Sequence, residues 1–438
     1  MSDNDEVLKA QLRKFPTELG LFPMDAFSKP STTETLRRGV GRPDAAEIEL
    51  LSLTRTEDGL LLWNTGIPTV RTTEGRRAGG YAPPPGKVVE HVAFEKIASN
   101  KVGLLLDKLD ENLTPARGLR RWDPATSALQ PFNGSEAAGK KILLFIHGTF
   151  SNCDRLFADV TGCPNNAGTA LLSAAVASGK YDFVLTFDHP TVGVSPAMNA
   201  FDLAAALRPL PGSVDVIAHS RGGLVARWFL EAFAGPTLQR RAVLVASTIA
   251  GTSLAAPPRL EAAINFLANI GGLLGKGAAT MPHPFLMVSG TLMRILSSVA
   301  KLGAAPGVLD SVVALIPGLQ GQSRVGNNHE LRRLRGYYQP GQIAYSAIRS
   351  DFQPTDPGWN FLQYFCKPMQ RAEYWGAQLI FEGTNDLVVD LDSMNELSDN
   401  EKLPSADVLD FGTNADVHHT NYFVQERTYG FIRQQLQF

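Results

Sequence analysis

The chain has 438 residues, of which 44% are hydrophobic and 19% charged, and its formal net charge is -2. It is long enough to bury a sizeable core, and too nearly neutral for general attraction to nucleic acid or an anionic membrane. Three cysteines, Cys153, Cys163 and Cys366, are too few for a disulfide framework and lack CxxC or zinc-cluster spacing, so free thiols in a reducing, cytoplasmic setting are expected.

Residues 1–45 are polar and irregular, with Pro16, Pro23 and Pro30 limiting long helices. The opening MSDNDEVLKAQL lacks the basic and apolar parts of a secretory signal. From about 47 to 130, the runs EIELLSLTR, GLLLWNTG and KVVEHVAFEKI read as strands, separated by turn signals such as Asp58-Gly59 and the PPPG at 83–86. This region either supplies early strands of a main sheet or forms a small layer packed on it.

The pattern sharpens at Lys141. ILLFI (142–146), YDFVLTF (181–187), VDVIA (214–218) and AVLVA (242–246) are short continuous apolar runs, as expected of strands buried on both faces of a parallel sheet. Helical segments at 168–178, 199–207 and 224–233 lie between them. The alternation is the βα repeat of an open sheet, whose ligands sit beyond the carboxyl ends of the strands. Residues 255–335 interrupt it with apolar and amphipathic helices. The stretch 262–318 is broken by Gly-Gly, Lys276, Pro282, His283, Arg294 and Lys301, so it does not read as a membrane span. IAYSAI (343–348) and AQLIFEG (377–383) return to strand character, and YFVQERTYGFIRQQL closes the chain as a helix. Three parts follow: a β-rich extension (1–130), an α/β core (131–254 and 336–438), and a helical cap or lid inserted between its halves (255–335).

Ala218-His219-Ser220-Arg221-Gly222 has the small-x-Ser-x-Gly form of a nucleophile elbow, with Gly223 following. The small residues relieve crowding where a strand turns sharply into a helix, leaving the serine strained and exposed. The pattern alone arises by chance about once in every two proteins of this composition; its strand-turn-helix setting raises it. The bland alternative is a βα loop in which Ser220 caps the helix. The Arg221 amide is placed to donate to an oxyanion. His147-Gly148-Thr149-Phe150 ends a strand expected beside the elbow, where Gly148 permits close backbone approach. Thr149 is the first choice for the second oxyanion amide and Phe150 the alternative; His147 is expected to brace the loop. His219 adjoins the serine but is tied to the backbone of the turn.

An activated serine needs a histidine, and that histidine an oriented carboxylate. Of eight histidines, His91, His283 and His329 have no supporting pattern, and His189 lies in FDHPT past the strand before the elbow. The pair His418-His419 precedes the last helix. Asp386 follows an apolar run in LIFEGTNDLVV, where Gly383 opens a turn; Glu382, Asp390, Asp392 and Asp416 are its rivals, and an ordinary Asp turn is the bland reading.

IHGT, AHSRGG, GTSLA, GTNDLVV and HHTNYF occur in this order across about residues 140–435. Together they resemble the bacterial lipase-like branch of the α/β-hydrolases, and more narrowly an uncharacterised family of such domains found alone or near caspase-like peptidases. The resemblance implies an α/β-hydrolase fold and maps the acid onto Asp386 and the base onto His419, before Thr420-Asn421-Tyr422-Phe423, with His418 second. Inserted helices over the elbow are also implied, matching 255–335. Ala218 departs from the more usual glycine.

The function expected is hydrolysis of a small-molecule or lipid-like carboxylic ester through Ser220, Asp386 and His419, with no metal or organic cofactor. No nucleic-acid partner or integral membrane segment is expected, and transient membrane-surface contact stays open. Amide or thioester cleavage, or an inert binding module on the same fold, are the alternatives. Leu260, Ile264, Leu267 and Ile270, and Leu286, Leu292, Ile295, Val299 and Leu302, recur at helical spacing in the insertion. With Gly271, Gly272, Gly275, Gly277 and Pro282 as hinges, they suggest a cleft for medium or longer acyl chains, against the alternative of a closed, packed cap.

Overall fold

The computed structural model describes residues 3–23, 48–65, 86–235, 238–256, 260–275, 283–299, 311–362, 365, 380–381 and 383–438. Among these residues, twelve strands fall into two sheets. The small sheet contains β1 (Leu21–Pro23), β2 (Ile48–Arg55), β3 (Leu61–Thr65) and β4 (Lys87–Glu95). The large one contains β5 (Gly118–Asp123), β6 (Ala128–Pro131), β7 (Lys141–Ile146), β8 (Phe183–Asp188), β9 (Ser213–His219), β10 (Gln239–Val245), β11 (Ala344–Phe352) and β12 (Val408–Asn414).

The apolar runs form the centre of the large sheet because both of their faces are covered. In β7, Ile142, Leu144 and Ile146 enter one core and Leu143 and Phe145 the other. The first core is closed by α5 (Pro196–Ala206) and α6 (Gly222–Trp228), through Ala200, Leu203, Leu224 and Val225. The second is closed by α3 (Cys153–Thr161), α4 (Ala167–Ala177) and the last helix, Glu426–Leu436, through Leu156, Leu171 and Ile432. Period-two alternation thus builds a three-layer sandwich.

The strand order is β12-β11-β10-β9-β7-β8-β5-β6. Strands β7 to β12 pair in parallel, whereas β5 runs antiparallel to β8 and β6 antiparallel to β5. This is the α/β-hydrolase fold. The order reverses at β7, between β8 and β9, so the loops leaving these strands converge at one point of the carboxyl edge.

The N-terminal region contributes strands to both sheets. Strands β5 and β6 extend the large sheet, while β1 to β4 make the separate four-stranded one, in the order β1-β4-β2-β3. It is not purely β, since α1 (Asp3–Leu12) and α2 (Val102–Leu113) belong to it as well. Its core is shared with α7 (Leu260–Leu274) and α8 (Pro284–Val299) of the insertion: Leu12, Leu51, Leu53, Trp63 and Leu109 pack with Leu260, Ile264, Leu286, Leu292 and Ile295. Two asparagines inside the apolar α7 complete the join. The amides of Leu61 and Trp63, on the free edge of β3, donate to Asn269 Oδ1 at 2.9 Å and Asn265 Oδ1 at 2.8 Å. A buried strand edge needs such acceptors.

Of the insertion's apolar stripes, Leu260, Ile264, Leu267, Leu286, Leu292 and Ile295 pack with the N-terminal layer and Ile270 packs with Phe352 and Phe381, so these residues form a packed cap and not an open cleft. Gly271 and Gly272 sit at close contacts. A Cβ on Gly271 would meet the Leu286 amide nitrogen at 2.7 Å, and one on Gly272 would meet Leu61 Cδ1 at 2.6 Å. Gly277, Pro282 and Leu302 lie outside the described residues.

Two differences concern the last part of the large sheet. Of the strand expected at 377–383, residues 377–379 and 382 lie outside the described residues, and Ile380 and Phe381 are buried but not in a strand. The last strand is β12, VLDFGTN, which no apolar run announces. It is an edge strand whose residues are all partly or fully exposed, so little burial selects its composition. No helix among the described residues is long and apolar enough to cross a membrane.

Candidate active site

The turn after β9 is strained. Ser220 has a φ of 55°, a conformation costly for any residue with a Cβ, and its amide is held by Val245 O of the neighbouring strand at 2.9 Å. Its surroundings permit this only because they are small. A Cβ on Gly222 would lie 2.6 Å from the carbonyl oxygens of Ile146 and His147, and one on Gly223 would strike Ser247 Oγ. A Cβ on Gly148 would lie 2.7 Å from Ser220 Cβ. The loop leaving β7 thus lies directly against the turn. Ala218 is fully buried in the sheet, where its methyl group is accommodated.

Three side chains from distant segments meet there. His419 Nε2 is 2.9 Å from Ser220 Oγ, and His419 Nδ1 is 2.9 Å from Asp386 Oδ2. A carboxylate only accepts, so Nδ1 carries the hydrogen and Nε2 is left to accept from the serine. All three residues are buried. Asp386 lies in a loop fastened to the end of β11, where the Phe352 amide donates to Asn385 O at 2.9 Å. Asp386 Oδ1 accepts the amides of Val388 at 3.1 Å and Val389 at 2.9 Å. Its Oδ2 also accepts the Tyr422 hydroxyl at 3.1 Å. His419 follows β12, and its amide donates to Asp386 O at 2.9 Å.

His418 is not brought to the serine. Its ring packs 5.1 Å from Phe352 and 5.3 Å from Trp359, and burial pushes its imidazole down to about 4. His219 Nε2 lies 3.0 Å from His419 O; burial first, and then His419, push it to about 3, so the neutral ring donates to that carbonyl. His147 is buried, donates from Nδ1 to Gly148 O at 3.0 Å and accepts the His189 amide at Nε2 at 3.2 Å. Both rings stack, 4.1 Å apart, behind the loop.

The rival acids are engaged elsewhere. Asp390 accepts the amide and hydroxyl of Ser253 at 2.9 and 3.0 Å, and so ties the GTSLA loop to the Asp386 loop. Asp392 makes a two-pronged pair with Arg324 at 2.8 and 2.7 Å, Asp416 is exposed, and Glu382 lies outside the described residues. Among the other histidines, His91 bonds Ser52, His283 packs on Phe285 and His329 bonds Arg332, none of them at this site.

Two backbone amides beside the serine, those of Thr149 and Arg221, donate to no group among the described residues. The Phe150 amide is different: it donates to Thr191 Oγ1 at 3.2 Å, which sets aside the alternative donor in this geometry. The Arg221 side chain is wholly buried and reaches back to Val194 O and, at 2.8 Å, Asn199 Oδ1. Burial pushes its guanidinium down to about 10, against the pull of Asp110 and Glu330.

His147, Cys153 and Asp188 place ligand atoms within 4.8 Å of one another. Their polar atoms are already used: Asp188 accepts the Cys153 amide at 2.8 Å and Arg120 at 3.3 Å, His147 Nε2 accepts from His189, and burial pushes the Cys153 thiol up. The group reads as a brace between β7, β8 and α3.

The family described as Domain of unknown function (DUF7379) matches residues 112–437, most of the chain. The chain belongs to this family. The matched region contains Ser220, Asp386 and His419 as well as Thr149 and Arg221. The chain is similar to the mature form of Bacillus licheniformis lipase BlEst2, at 17% identity over 68% of this chain and 92% of that one, with a TM-score of 0.36. It is also similar to lipase 1 from Pelosinus fermentans, at 14% identity over 68% of this chain and 98% of that one, with a TM-score of 0.42. A third is the metagenomic carboxyl esterase MGS0156, at 14% identity over 77% of this chain and 90% of that one, with a TM-score of 0.32. No curated protein matches.

Sequence reasoning did not single out Tyr422, Thr191 or Asp110. Tyr422 stood inside a recognised motif, but its bond to Asp386 depends on how the chain turns after β12. Thr191 and Asp110 carry no motif at all.

Proposed function

We propose that this DUF7379 protein is a serine hydrolase that cleaves carboxylic esters through an acyl-enzyme. The observation that carries the reading is the continuous chain from Ser220 Oγ through His419 to Asp386 Oδ2, with both links at 2.9 Å. Ser220 Oγ attacks the ester carbonyl while His419 Nε2 takes its proton, and Asp386 holds the imidazolium that results. The amides of Thr149 and Arg221 receive the charge that develops on the carbonyl oxygen. As the tetrahedral adduct collapses, the C–O bond to the alcohol breaks and His419 returns the proton to the leaving oxygen. Water then repeats the sequence on the acyl-serine, releasing the acid and restoring Ser220.

An apolar acyl group suits the flanks of the site. Phe150, next to Thr149, lies edge to face with Phe285, 6.1 Å apart, and Leu387, next to Asp386, packs in one apolar cluster with Phe352 and Trp359. Each methylene buried there contributes about 0.8 kcal/mol. The free, buried thiols of Cys153 and Cys163 accord with a cytoplasmic setting.

The test is hydrolysis of 4-nitrophenyl esters from C2 to C12, each below its aggregation threshold, by wild type and Ser220→Ala. Loss of turnover in the variant and a maximum beyond acetate are expected, together with stoichiometric fluorophosphonate labelling of the wild type alone. Equal rates in both proteins end the proposal; a steady fall with acyl length ends the apolar preference.

A further inference from the structure

Asp110, on α2 of the N-terminal layer, is 1% exposed and grips a loop of the large sheet. Its Oδ1 accepts the amides of Thr191 at 2.7 Å and Val192 at 3.0 Å, and its Oδ2 accepts the amides of Val192 at 3.1 Å and Gly193 at 2.6 Å. Successive amides are thereby turned toward one carboxylate, a charge-assisted arrangement that a neutral side chain does not reproduce. The same Oδ1 also accepts the Thr191 hydroxyl at 3.4 Å. Having donated its hydrogen there, the hydroxyl oxygen accepts the Phe150 amide at 3.2 Å.

The other end of this loop is held from the opposite direction. Val194 O accepts Arg221 Nη2, and Arg221 is the residue directly after Ser220. On a further side, the Gly318 amide donates to Val192 O at 2.9 Å, and a Cβ on Gly318 would strike Thr191 O. The loop after β8 is thus a rigid spacer. One end touches Phe150, next to Thr149, and the other touches Arg221. Phe150 has a φ of 59°, so the β7 loop does not keep this shape by backbone preference alone.

We infer that Asp110 is a positioning residue: through Thr191 and residues 191–194 it sets the spacing between the Thr149 and Arg221 amides, and so makes the N-terminal layer part of the catalytic geometry. This rests on the hydrolase reading above. Asp110 touches no reacting atom. It acts because two oxyanion donors stabilise charge only when both converge on one oxygen position, and small displacements of either forfeit much of the effect.

The experiment uses the full chain and compares wild type with Thr191→Val, Asp110→Asn and the double variant. Thr191→Val keeps the shape and removes only the hydroxyl. It is expected to lower kcat by about tenfold with KM within about twofold, and Asp110→Asn to lower kcat by about a hundredfold. The double variant is expected to match Asp110→Asn, since both act through one relay. Affinity for an alkyl trifluoromethyl ketone, whose adduct with serine places an oxyanion in the same position, should fall by the same factor as kcat/KM. Wild-type kcat in folded Thr191→Val, multiplicative losses in the double variant, or a lower melting temperature with unchanged ketone affinity overturns the assignment. A wild type that neither turns over esters nor reacts with fluorophosphonate sinks the hydrolase reading itself and this inference with it; an active, labelled wild type with unaffected variants sinks the inference alone.

Discussion

Tyr422 donates its hydroxyl to Asp386 Oδ2, the same oxygen that accepts His419 Nδ1. Tyr422 is 1% exposed, and burial pushes its phenol well above the ordinary range, so the hydroxyl stays protonated as a donor. Tyr422→Phe leaves the ring in place and removes one of the bonds that orient the carboxylate. A loss of about 1–3 kcal/mol in urea-denaturation stability is expected, with kcat reduced less than in Asp386→Ala. Unchanged stability would mean that the bond contributes nothing net.

Gly148→Ala tests the contact between the β7 loop and the turn. The added methyl group would lie 2.7 Å from Ser220 Cβ and 3.2 Å from His219 Nδ1, so the loop or the serine must shift. A displacement of this kind is expected to cost about a hundredfold in kcat/KM with the far-ultraviolet circular dichroism unchanged. Near-wild-type turnover would show that the contact yields easily.

Several buried histidines make stability depend on pH. Burial holds His147 and His418 at about 4 in the folded chain, against an ordinary value of 6.5. The unfolded chain therefore binds protons that the folded one refuses, and stability falls as pH drops from about 6.5 to about 4. His418→Phe keeps the packing on Phe352 and Trp359 and deletes one such group. Its denaturation free energy should decline less steeply across that window than the wild type's, and parallel declines would refute the assignment.

Asn265→Leu removes the acceptor for the Trp63 amide at the buried edge of β3. A loss of about 1–3 kcal/mol is expected, read as a lower urea midpoint, with earlier proteolytic release of the N-terminal layer. A midpoint at the wild-type value would show that the edge finds another partner.

The central strands were legible because their cause is local. A run such as ILLFI at 142–146 is apolar on both faces only where both faces are covered, and that requirement is written into consecutive residues. The turn at Ser220 was legible for a similar reason, since the small residues that relieve its positive φ must be its near neighbours. The edge strand β12 was not, because an exposed edge places few demands on composition. Nor could the apolar stripes of residues 255–335 say what covers them. Helical spacing shows that a face is buried, while its partner, here Leu51, Leu53 and Trp63, comes from a distant segment. The choice between His418 and His419 is of the same kind: adjacent, identical side chains leave the backbone in different directions, one to Phe352 and Trp359 and the other to Ser220 and Asp386. Asp110 makes the point most strongly, since nothing near it in the chain distinguishes it from a solvated helix acid. Only the packing of α2 against residues 191–193 turns its carboxylate into a buried anchor, because a charge acquires a task from the donors that surround it and these are assembled by the tertiary fold.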